Sequence, residues 1–191
     1  MPSRQKRESN VMDLSDGERL IILMLADVSK TLKLKGEMDP EFIANMIFND
    51  TLWAIRWKYH GIPFSTDDDP PEVSQTCDIL DLWMFLEDGY KQLSKADKER
   101  IKSEAAPFGE NVVFRGFDGN HEAKMLSVAR VLIDDLGRWP QFRGRELNAH
   151  ARTVDRYLRM CRAFESIRPR LDMRSLNADE IITILRAQKH A

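Results

Sequence analysis

Two cysteines in 191 residues, Cys77 and Cys161, are too few for a disulfide scaffold and agree with a reducing compartment. Both lie in apolar helical patterns and read as small buried hydrophobes; a disulfide between them is the alternative. No apolar run is long enough to cross a bilayer, and the start, MPSRQKRESN, has no signal-peptide h-region. A cytoplasmic protein with no membrane association is expected. Strand alternation is missing too, since Val112-Val113-Phe114 is the sole β-like run. There is no fixed-period repeat and no sustained heptad. The chain has no G-x-x-x-x-G-K-[ST] phosphate loop, no HExxH, no G-x-S-x-G and no CxxC. It therefore leans away from an enzyme, and no cofactor or metal is expected. Nor does one charge dominate: 29 bases against 31 acids leave −2, which argues for neither nucleic acid nor membrane.

Helices fill the space these absences leave. Ser15-Asp16-Gly17-Glu18 is a capping box before Leu20, Ile21, Met24, Leu25, Val28 and Leu32 at helical spacing, with Gly36 as the stop. Asp39-Pro40-Glu41 opens a second helix through Phe42, Ile43, Met46, Ile47, Trp53 and Trp57 to Gly61. A third runs from about Glu72 to Leu93, and Ser94 caps a short fourth that ends before Pro107. The fifth spans about Asn120–Leu136, the sixth about Asn148–Ile167, and the seventh starts at the Asn177/Glu180 capping box. The fold class is all-α and multihelical, with about seven main helices. Residues 1–12 form a polar tail, and 13–191 form a single domain whose weakest seam is 105–118.

One segment refuses the helical pattern: Val113-Phe114-Arg115-Gly116-Phe117-Asp118-Gly119-Asn120-His121-Glu122. Gly116 and Gly119 permit backbone angles that helices avoid, while Asp118 and Asn120 favour turns and caps. Structurally, Asp118 or Asn120 caps the fifth helix, and Gly119 is a position for positive φ. Functionally, the turn could form a small pocket whose backbone N–H groups face an anion, which Asp118 and Glu122 would repel. His121 and His150 both fall at expected helix starts. With Asp118 and Glu122 they could form a divalent-metal or acid–base cluster if the two starts meet. The Asp67-Asp68-Asp69 run is read as a complement to a helix dipole, because it lacks the spacing of a calcium loop.

Charge is unevenly placed. Between Leu136 and Ser175 stand ten arginines, no lysine and four acids, a local +6 against −8 elsewhere. At 100° per residue, Arg152, Arg156 and Arg159 share one face, opposite Val154, Leu158 and Cys161. They read as a solvated basic ridge, paired with nearby acids or with another subunit; the sharper reading is a polyanion site.

Ordered matches run along the chain from Ser15. They are Glu18-Arg19-Leu20-Ile21-Ile22-Leu23, Tyr59-His60-Gly61, Ile79-Leu80-Asp81-Leu82-Trp83, Gly116-Phe117-Asp118-Gly119-Asn120 with Glu122, Gly137-Arg138-Trp139, Asn148-Ala149-His150, Tyr157 and Met160. The chain thereby resembles the YfbU family of small bacterial helical proteins. That resemblance implies an all-α fold and self-association, and it implies no reaction. Some relatives carry an N-terminal ribbon-helix-helix DNA-binding segment, which residues 1–12 are too short to form.

The expectation is a non-enzymatic, self-associating interaction or regulatory module, first as a homodimer, with a protein partner also open. One alternative is a nucleic-acid or polyanion binder through Arg152, Arg156 and Arg159. Another is a metal-dependent or acid–base enzyme at the central turn. Phe117, Asp118, Gly119, Asn120, Glu122, Arg138 and His150 are the candidate ligand-binding residues.

Overall fold

The computed structural model describes residues 14–64 and 68–189. The polar tail, Asp67 and His190 lie outside them. The described residues form eight α-helices and no β-strand, close to the seven helices expected. No helix among them is long and apolar enough to cross a membrane. Packing divides the chain between Pro70 and Pro71 into two compact units, and the division does not fall at 105–118. That stretch is anchored within the second unit: Val112, Phe114 and Phe117 are buried, and the Phe114 N–H donates to Glu87 Oε1 at 2.8 Å.

The first unit holds α1 (Asp16–Leu32), α2 (Pro40–Phe48) and α3 (Trp53–Lys58). The capping box starts α1: the Glu18 N–H donates to Ser15 Oγ and the Ser15 N–H to Glu18 Oε2. Lys33, left-handed at φ 52°, closes the helix before Gly36 is reached. Asp39 caps α2 by accepting the Phe42 N–H, and its other oxygen takes Lys58 Nζ at 2.9 Å.

The long second helix expected to run on to Gly61 is two helices. Asn49 ends α2 and Asp50 sits at φ 53°, a conformation that short polar side chains tolerate. The chain then restarts at Trp53. Phe42, Met46, Ile47, Trp53 and Ile55 are buried, and Trp53 meets Trp57 edge-on at 5.4 Å. Asp69 takes both Arg56 Nη2 and Trp57 Nε1, so part of the acidic run serves as a local tie.

The second unit is built on α4 (Pro71–Gln92), against which α6 (Ala123–Arg130), α7 (Val154–Glu165) and α8 (Ala178–Arg186) pack, while α5 (Lys95–Glu104) rests on α8. Its centre is aromatic. Phe114 lies 5.2–6.1 Å from the rings of Trp83, Phe117, Phe142 and Tyr157, distances at which such pairs contribute beyond their burial. Glu87 on α4 also holds Arg145 through a two-pronged pair at 2.8 and 2.9 Å.

Two helix boundaries differ from expectation. The fifth helix begins at Ala123, not Asn120, and passes into a π-turn at Val131–Asp135, where the Leu136 N–H donates to the Val131 carbonyl. The sixth begins at Val154, not Asn148, because residues 147–149 run extended beside the central turn. There the Phe117 N–H donates to the Leu147 carbonyl and the Ala149 N–H to the Phe117 carbonyl, both at 2.9 Å.

Candidate functional site

The central turn is a clasp that ties three segments of the second unit. Gly116, at φ 81°, lies so close to residue 147 that a Cβ on it would fall 1.8 Å from the Leu147 carbonyl oxygen. Gly119 is different: its φ is not positive, and a Cβ there would meet the Asn148 side chain at 2.9 Å. The expected need for positive φ therefore belongs to Gly116, while Gly119 allows close approach. Asn148 Oδ1 accepts the N–H groups of Gly119 and His150 at 3.0 and 3.1 Å.

Glu122 does more than occupy the first turn of a helix. Its Oε1 accepts the N–H groups of Thr153 and Val154 at 2.7 and 2.8 Å, so it caps α7 from 31 residues away in sequence. Its Oε2 accepts the Asp118 N–H and the Thr153 hydroxyl contact at 3.0 Å. Thr153, fully buried, also places its hydroxyl 2.9 Å from the Gly116 carbonyl. No periodic signal picks out Thr153 in the sequence, and it was not among the expected site residues.

Asp118 is 3% exposed, and it does not cap α6. Its Oδ1 accepts the Asn120 N–H at 3.0 Å, and its Oδ2 lies 2.6 Å from His121 Nδ1. Those contacts, the Asn120 N–H first, hold its carboxyl below the usual aspartate value. The N–H groups of Phe117, Asp118, Gly119 and Asn120 are thus all used within the clasp, which leaves none of the four to face an anion.

A cavity of about 590 Å³ opens beside the turn, lined in part by Asn120, His121, Lys124 and Arg152. Neither Asp118 nor His150 lines it. His150 is exposed at φ 49° in the loop before α7, not at a helix start. Among the described residues, no three His, Cys, Asp or Glu side chains converge as a metal would require. Arg138 stands apart in the loop after the π-turn, its N–H donating to the Leu132 carbonyl. Cys161 is buried, and its thiol is pushed up to about 12 by that burial and then by the charges of Asp78 and Glu165, which leaves no thiolate for nucleophilic chemistry at neutral pH.

The three arginines do not form a solvated ridge. Arg152 is exposed and precedes the helix. Arg159 turns inward and donates to the Ala187 and Gln188 carbonyls at 3.2 and 2.7 Å, closing the end of α8. Arg156 is half-buried, its guanidinium carbon 5.4 Å from the Tyr157 ring centre. The even spacing on a helical wheel hid these differences because the helix starts later than expected and α8 crosses its flank.

The other unusual surface is α1. It has no buried residue, and Leu20, Ile21, Met24, Leu25, Val28 and Leu32 are each 51–67% exposed. At 100° per residue they fill an arc of roughly 140°, a core-width stripe. Of the twelve large hydrophobic residues exposed among the described residues, all but Val113 and Met173 belong to the first unit.

The chain is 30% identical over 185 residues to a UPF0304 protein of Methanocaldococcus jannaschii, an alignment covering 91% of this chain and 99% of that one. The model of the YfbU domain matches residues 53–187, which take in the clasp and the whole aromatic centre and leave α1 and α2 outside. The chain therefore belongs to the YfbU family.

Proposed function

We propose that the protein is a non-enzymatic, self-associating interaction module of the cytoplasm, and that a second copy of the chain sits on the apolar face of α1. The observation that carries this reading is the stripe from Leu20 to Leu32, open along the whole helix. Monomeric proteins seldom leave a contiguous apolar patch of more than a few hundred Å² in water. Charge favours a second copy laid antiparallel. Asp16 and Glu18 stand at the start of α1, and Lys30, Lys33 and Lys35 at or just beyond its end. A two-fold axis across the helix brings each acidic start against the partner's basic end and opposes the two helix dipoles. The low cysteine content, Cys77 and Cys161 alone, supports the cytoplasmic setting.

The polyanion reading has less support, because the three arginines share no exposed face: Arg159 is turned onto the end of α8 and Arg156 is half-buried against Tyr157. Light scattering at tens of micromolar tests the proposal. The wild type is expected at twice the 22.2 kDa chain mass or a higher multiple. Met24→Glu with Leu25→Glu is expected to return the mass to one chain without loss of helix. A wild type that stays at one chain mass overturns the proposal.

A further inference from the structure

A second cavity, of about 210 Å³, lies in the second unit, with Trp83, Phe108, Val113, Arg115, Arg156 and Tyr157 among its walls. In this unit, two buried side-chain nitrogens among the described residues, Trp83 Nε1 and Arg156 Nε, have an N–H with no acceptor, and both belong to residues that line this cavity. Trp83 is 3% exposed, so its indole N–H is withheld from bulk water. A buried donor left without an acceptor is destabilising, and native proteins keep few of them. Two on residues that line one cavity point to a place where an acceptor is missing.

The charges agree. Arg115 and Arg156 line the cavity, and no carboxylate among the described residues forms an ion pair with either. Glu110, also in the lining, opposes an anion, but as one carboxylate against two guanidiniums. Arginine's planar fork suits the paired oxygens of carboxylates and phosphates. Pro107, Phe108 and Val113 offer the apolar wall that a small organic body needs. At about 30 Å³ per water, the space equals roughly seven waters, room for a small organic guest.

We infer that this cavity binds a small organic oxyanion, a carboxylate or a phosphate monoester, whose oxygens accept from Arg115, Arg156 and the Trp83 indole and whose apolar part lies against Phe108 and Val113. The site does not depend on self-association. It also gives Arg156 a role that the basic-ridge reading missed.

The test follows the Trp83 indole N–H by ¹H–¹⁵N correlation spectroscopy of the full chain, with benzoate and phenyl phosphate as separate probes. The Trp83→Phe spectrum assigns the resonance. The expected result is a saturable shift of the Trp83 signal with at least one probe, whichever responds naming the headgroup. Arg115→Gln with Arg156→Gln should then weaken that probe's affinity at least tenfold while the wild-type melting profile is kept. If Trp83→Phe does not fold, disappearance of one indole signal in Trp83→Tyr gives the assignment. No shift with either probe up to 20-fold excess over about 1 mM protein overturns the inference. So does equal affinity in the folded double variant.

Discussion

The clasp and α1 sit at opposite extremes of the same chain. At the clasp, backbone donors from Phe117 to Asn120 and at the start of α7 are met by Leu147, Glu122, Asn148 and Asp118. Along α1, six large apolar side chains meet no core. The segment whose motif looks most like an active site uses its backbone donors in holding the fold. The segment that reads as an ordinary amphipathic helix is the one left incomplete. An unusual motif can be unusual because its geometry is demanding, whereas an ordinary pattern becomes informative once its partner is missing.

The largest effect should come from Gly116. Gly116→Val pushes a Cβ into the Leu147 carbonyl at a positive φ, and chemical denaturation should show a loss of at least about 3 kcal/mol or no folded protein. A near-neutral result would break the clasp account. Glu122→Gln comes next. It removes a charged acceptor shared by the start of α7 and the turn, with an expected cost of about 1–3 kcal/mol in the same measurement.

Acid titration sharpens the comparison further. The Asp118 carboxyl is held below its ordinary value in the folded state, so between the folded and unfolded values the unfolded chain binds more protons. Its contribution is complete above the unfolded value of about 3.9 and is lost as pH falls through the folded one. Asp118→Asn should therefore flatten the fall in stability below about pH 4, as followed by denaturant melts across pH. An unchanged acid profile would remove Asp118 from the clasp's energetics.

Smaller still are the arginines. Arg159→Gln should cost about 1 kcal/mol by freeing the carbonyls at the end of α8, whereas Arg152→Gln should stay within about 0.5 kcal/mol. Equal effects at the two positions would restore the picture of one solvated ridge.

Much of the fold was legible because it rests on local rules. The Ser15 and Asn177 capping boxes formed as read, and Asp39 and Ser94 cap as expected. What escaped was long-range. Nothing near Asn148 announces that it will run extended beside Phe117, so the start of α7 was placed six residues early. Glu122 reads as a first-turn acid until its partner, 31 residues away, is in place. The break at Asn49-Asp50 carried a local signal, two residues that tolerate the left-handed region, but the apolar spacing on either side outweighed it. The same spacing assigned α1 an inward face without saying what would cover it.

The central claim is that a second chain covers that face. Isotope-filtered nuclear Overhauser spectroscopy on a mixture of methyl-labelled and unlabelled protein reads it directly. The account predicts cross-peaks between chains joining Leu20 or Ile21 of one copy to Leu32 of the other, the signature of antiparallel α1 helices, and their loss in Met24→Glu/Leu25→Glu. Absence of any intermolecular peak from the α1 methyl groups at about 1 mM protein, with the same methyl groups in contact with water, would contradict it.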